Sequence, residues 1–468
     1  FYDRGDSVVF QAQIVDAATR EVVRAIDEVA GPRSAPANAV EQLRQRTLGS
    51  LAALMDQRLA SWKEPGGQPP SLESYRLFAE GLDHFFRANQ RRQLGSDNRE
   101  AARLNREAAA RFVAAGGRDS SFVAPLLWAV FARQNGGELA SADSLLRALN
   151  RRGDLSTWER AVLNLQLALG DWEETYRRAQ ELVTRSPDSE WLFVLGLAAF
   201  DTRRYGAAIE ALERLNPNRG WIRDFPSYWH IRIEVRHCVG DHLGELEDVR
   251  ELRARFPDDQ DLPRMELIAL AGLRRSGEML TRVREGVVAQ DQAIIPWLDW
   301  TVYELRAHGD RRGADRVATA ALQYFASRPP SERNVRWHAR RARLLDAAHR
   351  WGEARSAWAQ LAAEHPETIE YRGRLGVAAA RQGDRVEAER VDRWLQAVDP
   401  SSFDLNGGSL IWRARIAAQL GERDRATALV REAIARGLRY SYLLLHALED
   451  LEPLKGYPPY DALLGPRG

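Results

Sequence analysis

A spacing of 34 residues separates Ala354 from Ala388, Leu361 from Leu395 and Pro366 from Pro400. In "RWGEARSAWAQLAAEHP" and again in "QGDRVEAERVDRWLQAVDP" a Glu-Ala pair stands twelve residues before a proline. A fixed period of this size is the mark of a stacked repeat, and about 34 residues suits a helix–turn–helix unit. Small residues such as Gly376 and Ala388 fall where two antiparallel helices must approach closely. Trp351, Trp358, Leu361 and Leu395 are expected to fill the space beside them. Pro366 and Pro400 follow the second helix, where a missing N–H and a fixed φ stop it at little cost. One hairpin cannot bury its own apolar face, so it needs neighbours on both sides.

The same marks recur elsewhere. "GDWEETYRRAQELVTRSP" places Trp172 and Pro187 fifteen residues apart, as Trp351 and Pro366 are. "RRYGAAIEALERLNP", "GDHLGELEDVRELRARFP", "GDRRGADRVATAALQYF" and "GERDRATALVREAI" read as further second helices. The pattern predicts about ten hairpins over residues 72–438. The first hairpin and the one around Met265–Val288 depart most from the pattern, and the gap before "GERDRA" is four residues longer than the period.

The beginning of the chain reads differently. In "DSVVFQAQIVD", Val8, Phe10, Ala12 and Ile14 alternate with Val9, Gln11, Gln13 and Val15; "AATRE" makes a turn, and "EVVRAIDEV" is rich in β-formers. This predicts a β-hairpin, followed by a helix from about Ala39 to Leu59. Residues 1–62 are thus a truncated α/β segment, whose remainder lies upstream or whose partner is the repeat array. "KEPGGQPPS", residues 63–71, reads as a linker. The proline-rich stretch 439–468 is expected to cap the last hairpin.

Charge narrows the function classes. Charged residues are 28% of the chain, yet Lys+Arg and Asp+Glu number 67 and 66, a net charge of +1. That balance gives no footprint for nucleic acid. Only Lys63 and Lys455 are lysine, and the arginines are interleaved with acids throughout. The single cysteine, Cys238, excludes an internal disulfide framework and a multi-cysteine zinc site. The longest uncharged apolar stretch, Ser120–Ala132, is too short to span a bilayer. The chain opens at Phe1 rather than at a methionine, which leads us to expect sequence upstream.

The repeats resemble the tetratricopeptide family over about four fifths of the chain. The resemblance implies an all-α right-handed solenoid whose first helices line a concave binding face. The layout is also similar to the C-terminal half of bacterial membrane-anchored serine/threonine kinases and related regulators, with a TolB-N-terminal-like segment before the repeats. The phrases that carry this are "GDSVVFQAQIVDAATREVVRAI", "PPSLESYRLFAEGLDHF" and "LEPLKGYPPYDALL". It implies an upstream kinase or other output domain and a membrane span, with this chain on the extracytoplasmic side; a cytoplasmic chain is the other reading. No Gly-rich phosphate loop, H-R-D or D-F-G occurs here.

No catalytic motif is found, so the expectation is a non-enzyme with no cofactor. His230, Glu234 and His237 have the i, i+4, i+7 spacing that lets side chains share a metal. No fourth ligand accompanies them, and the reading is polar groove residues without a metal. Arg336, Arg340 and Arg343 share one helix face, and guanidinium forks hold carboxylates well. With Phe193, Leu197 and Phe200 as an apolar patch and Tyr303 and Arg306 nearby, these residues form a candidate peptide groove. Trp297, Trp300 and Trp337 are expected in the core rather than as stacking platforms. The partner expected is a protein or peptide bearing acidic residues or a free carboxylate. The alternative is a sensory or homo-oligomerising region that regulates an upstream domain.

Overall fold

The computed structural model describes residues 1–56, 58, 70–93, 98–288, 294–398, 408–436, 438, 445 and 449–467. Strands β1 (Tyr2–Arg4), β2 (Ser7–Val15) and β3 (Val22–Pro32) form an antiparallel sheet in the order β1-β2-β3. The expected hairpin thus gains a short third strand. Pairing shifts between Phe10↔Val29 and Ala12↔Ile26, so β3 carries one extra residue there. That bulge lets Ile26 and Val29, three positions apart, both be buried. Helix α1 (Pro36–Met55) lies on β2 and β3. A Cβ on Gly31 would come within 2.8 Å of the Ala39 Cβ, so glycine permits this close crossing. The other side of α1 packs on helix α2 (Leu72–Gln93), and the Tyr75 hydroxyl donates to Asp56 Oδ2 at 2.7 Å. Most of the expected linker lies outside the described residues.

From α2 onward the protein is helical, as the repeat pattern predicts. Among the described residues there are ten successive hairpins. They are α2/α3 (Asn98–Arg118), α4 (Ala124–Asn135)/α5 (Leu139–Asn150), α6 (Thr157–Ala168)/α7 (Trp172–Arg185) and α8 (Trp191–Asp201)/α9 (Tyr205–Glu213). Next come α10 (Ser227–Val239)/α11 (His242–Arg255), α12 (Leu262–Gly272)/α13 (Ser276–Val288), α14 (Leu298–Ala307)/α15 (Arg311–Ser327) and α16 (Val335–Ala347)/α17 (Trp351–Glu364). The last are α18 (Ile369–Arg381)/α19 (Arg385–Ala397) and α20 (Gly408–Gln419)/α21 (Arg423–Ala435). A 3₁₀ turn (Glu449–Leu454) and a short helix α22 (Pro458–Leu464) follow.

One turn geometry recurs in nine of these hairpins. Two positions before the second helix stands a residue at positive φ: Gly137, Gly170, Arg203, Gly240, Arg274, Gly309, His349, Gly383 or Gly421. In most of them the next N–H reaches back five residues, as Asp241 does to the Arg236 carbonyl at 3.0 Å and Asp384 to that of Ala379 at 3.0 Å. This closes the end of the first helix. Where the next residue is aspartate, its carboxylate opens the second helix. Asp171, Asp241, Asp310 and Asp384 each accept from the N–H three residues on. The Gly-Asp marks in the sequence are therefore paired helix caps.

Packing follows the period. Ala354 and Ala388 are fully buried, and Leu361 and Leu395 are nearly so. A Cβ on Gly376 would lie 2.6 Å from Ile416 Cδ1 and 2.8 Å from Val391 Cγ1. Trp358 is fully buried, whereas Trp351 is only half-buried and stacks on His349. Pro400 lies outside the described residues. No helix among those described is long and apolar enough to cross a membrane.

The chain divides into two compact units. The first comprises Phe1–Thr202 with Gly206–Ile231, and the second Arg203–Tyr205 with Arg232–Gly468. In the second unit, Leu451, Leu454, Tyr460 and Leu464 are buried against Leu410, Ala414, Ala426 and Val430 of the last hairpin.

Candidate functional site

The candidate groove residues fall in both units. In the first, Phe193 is buried, because Trp221 and Phe225 meet it edge-on with ring centroids 5.8 and 5.2 Å away. Trp221 lies within a 3₁₀ turn (Gly220–Asp224) inserted between hairpins and Phe225 directly follows it, so Phe193 is a core residue and not an open groove wall. Phe200 is buried as well, while Leu197 and His230 are half-buried.

In the second unit, Glu234 lies 3.8 Å from Arg264. His237 is buried against Glu245, with Nδ1 3.0 Å from Oε1. The spacing of His230, Glu234 and His237 therefore does not bring them together as a ligand set.

The remaining candidates belong to a polar layer on three consecutive first helices. Helical spacing aligns Asp299, Tyr303 and Arg306 on α14, Arg336, Arg340 and Arg343 on α16, and Glu370, Arg374 and Arg381 on α18. Arg343 binds Glu370 through two parallel contacts, Nε to Oε1 at 2.8 Å and Nη2 to Oε2 at 2.7 Å. Arg374 Nε donates to the same carboxylate at 2.9 Å, and its Nη1 lies 3.6 Å from Asp346 Oδ2. The Arg374 guanidinium sits 5.1 Å from the Trp358 ring centroid and 5.4 Å from that of Trp412. Trp412 can lie there because Gly373 faces it; a Cβ would be 2.4 Å from Trp412 Cδ2.

Burial and charge set the ionisation of this layer. Burial pushes Asp346 up to about 6, with Arg374 opposing and the Trp358 indole donating to Oδ2 at 2.7 Å. Burial also works against Glu370, but Arg374 and Arg343 hold it down to about 2. Burial raises Asp299, opposed by Arg343 and Arg374, and raises the buried Tyr303 well above its ordinary value. Arg340 is lowered by burial and by the neighbouring charges of Arg336 and Arg343. The three arginines thus do crowd one another. Among the described residues, Arg336 and Arg340 have no ion-pair partner, whereas Arg343 is taken by Glu370.

Beside this layer, the 3₁₀ segment presents two acids to the same helices. Arg381 Nη2 donates to Asp450 Oδ1 at 2.6 Å, and Arg415 Nη1 lies 3.8 Å from Oδ2. Glu449 Oε2 is 2.5 Å from His349 Nε2, and its Oε1 accepts from Arg306 at 3.5 Å. Gln419 Nε2 donates to the carbonyls of Asp450 at 2.8 Å and Glu449 at 3.4 Å. Burial alone would raise both carboxyls; Arg381 and Arg415 keep Asp450 low, and His349 and Arg306 keep Glu449 low. Burial pushes Arg415 down to about 10, with Asp450 as the main opposing charge. A cavity of about 590 Å³ lies here, lined by Arg306, Trp351, Arg381, Gln419, Glu449 and Lys455 among others.

Arg374, Glu370, Asp346, Arg381, Arg415 and the two acids of the 3₁₀ segment were not among the candidates. The period held a signal for two of them: 34 residues after Arg336 and Arg340 stand Glu370 and Arg374. Trp297 and Trp337 are half-buried, each with an arginine over its ring, and Trp300 packs on the core.

In sequence the chain matches no protein-family profile and no curated protein. Among solved structures it is similar to a tetratricopeptide repeat protein from Parabacteroides merdae ATCC 43184, at 13% identity and a TM-score of 0.33, covering 64% of this chain and 98% of that one. Yeast Tom70 is similar at 11% identity and a TM-score of 0.35, covering 84% and 97%. A human IFIT1 dimer with m7Gppp-AAAA is similar at 12% identity and a TM-score of 0.32, covering 76% and 94%. The hairpin repeat described above rests on this chain's own helices, caps and packing.

Proposed function

We propose that the chain is a non-catalytic interaction scaffold whose second unit binds an acidic peptide segment along the arginine-bearing face of α14, α16, α18 and α20. The observation that carries this reading is the convergence of Arg306, Arg381 and Arg415 on Glu449 and Asp450, with Arg336 and Arg340 on α16 having no ion pair among the described residues. One acidic segment, the chain's own, is held by this face. The arginines of α16 offer the same chemistry to a second one. A charge-assisted contact contributes about 1.5–3 kcal/mol where it is sheltered and much less at an exposed rim. Arg336 is exposed and Arg340 half-buried, so Arg340 is the stronger anchor.

The test uses a labelled peptide with the sequence of residues 447–456, "ALEDLEPLKG", added to the full chain. Binding should weaken with salt and vanish in Arg336→Glu with Arg340→Glu, while helicity and melting temperature stay unchanged. Unaltered binding by the double arginine variant would sink the proposal.

A further inference from the structure

A second cluster of reactive side chains stands in the second unit, on the turn ends of two hairpins. His237 closes α10, His242 and Glu245 open α11, and Glu304 and His308 close α14. The three imidazoles face one another edge-on, with ring centroids 4.8, 4.9 and 5.2 Å apart. Glu245, fully buried, receives His237 Nδ1 at 3.0 and 3.1 Å and His242 Nδ1 at 2.9 Å. Those contacts orient both rings and direct Nε2 of His237 to the opposite side. There it lies 3.9 Å from Glu304 Oε2, and His308 Nε2 lies 3.7 Å from the same oxygen.

Glu304 is the observation that asks for a ligand. Its side chain is 1% exposed, and among the described residues neither carboxylate oxygen has a hydrogen-bond partner. A buried carboxylate left this way is costly. The ligand atoms of His237, Glu304 and His308 lie within 4.8 Å of one another, and so do those of His237, His242 and Glu245. A tetrahedral ion with bonds of about 2.0–2.1 Å sets its ligand atoms about 3.3 Å apart, so the 3.7 and 3.9 Å edges need only a small contraction. Gly272 on α12 adds a second sign of a shaped site. A Cβ there would stand 2.4 Å from His242 Nδ1, so glycine makes room for that ring. His242 and His308 are half-buried and form the side open to solvent.

We propose that this cluster is a binding site for a divalent transition-metal ion of the zinc type, held by His237, Glu304 and His308, with Glu245 orienting His237. Imidazole and carboxylate ligands suit zinc and its neighbours in the series, and a carboxylate behind a ligating histidine is the usual support. The ion would give Glu304 Oε2 a closer cationic partner than the two imidazoles 3.7 and 3.9 Å away, and tie α10 to α14. With three protein ligands, the remaining position is open to water or to His242.

The test titrates the metal-free full chain with cobalt(II), read by its visible absorption, and then with zinc(II), read by loss of those bands and by thermal melting. One equivalent of cobalt should give the bands of a low-coordinate ion, zinc should displace it, and zinc should raise the melting temperature. His365→Ala should behave as the parent. Glu304→Gln and His308→Ala should lose the bands and the zinc-dependent shift. Glu245→Gln should weaken affinity about 10–100-fold. Metal-free Glu304→Gln should melt no lower than the metal-free parent, since it removes a buried acid that has no hydrogen bond among the described residues; its loss of binding is then not a failure to fold. A parent without bands, or Glu304→Gln binding as tightly as the parent, would overturn the proposal.

Discussion

Arg381 and Asp450 share a 2.6 Å hydrogen bond across 69 residues of chain, with each side chain 14% exposed. The bond joins the last turn of α18 to a 3₁₀ segment that has little other polar anchorage on that helix. Arg415, also buried, leans on the same carboxylate. Replacing Asp450 by asparagine leaves two sheltered guanidinium groups facing a neutral side chain. We expect Asp450→Asn to lower unfolding free energy by about 2–3 kcal/mol, measured by urea denaturation. Adding Arg415→Met should recover part of the loss, because the second unpaired charge is then gone. No recovery would show that Arg415 does not depend on Asp450.

Asp346 and Glu370 give the second unit opposing pH dependences. Folding raises Asp346 to about 6, so its contribution is fully present below about pH 4 and is lost as pH rises through 6. Folding lowers Glu370 to about 2, so its contribution is present above about pH 4.5 and is lost as pH falls toward 2. Each is worth on the order of 3 kcal/mol. In melts from pH 7 to 3, Asp346→Asn should flatten the rise in stability between pH 7 and 5, since an asparagine oxygen can still accept from Trp358. Glu370→Gln should blunt the fall below pH 4.5. Profiles parallel to the parent's would contradict both assignments.

Ala354 and Ala388 are each fully buried at equivalent repeat positions. Leucine at either site should overpack the contact and cost about 1–3 kcal/mol. Gly376→Ala should also destabilise, because its Cβ would meet Val391 and Ile416 below 3.0 Å. Thermal melts of the three single variants check this, and unchanged stability in all three would break the repeat register.

Arg274 stands at φ 55° where six other hairpin turns use glycine. A left-handed non-glycine residue is strained. Arg274→Gly should therefore raise stability by about 0.5–1 kcal/mol, and Gly383→Ala should lower it by a similar amount. Opposite signs in denaturant midpoints are the expected result.

How much of this could be read in advance depended on how far each interaction reaches. The 34-residue period and the buried alanines are legible in the sequence because both partners lie within one hairpin or its neighbour; the Gly-Asp turns are equally local, but their capping role comes from the structure. Asp241 caps a helix three residues away, and Ala388 packs inside its own unit. The same period pointed from Arg340 to Arg374, although it could not say that Arg374 would lie between two tryptophans. Phe193 was misplaced because its cover, Trp221 and Phe225, comes from an irregular turn that no period describes.

The sequence by itself determined a chain of helix hairpins with a small α/β segment in front, since local propensity, caps and spacing specify helices and their turns. Only the tertiary structure decided which charges meet. Arg306 reaches Glu449 across 143 residues, and Glu304 of α14 comes beside His237 of α10. Periodicity tells which face of a helix a side chain occupies. Its partner is set by the packing of helices far apart in the chain, where burial, not spacing, makes a carboxylate or a guanidinium require company.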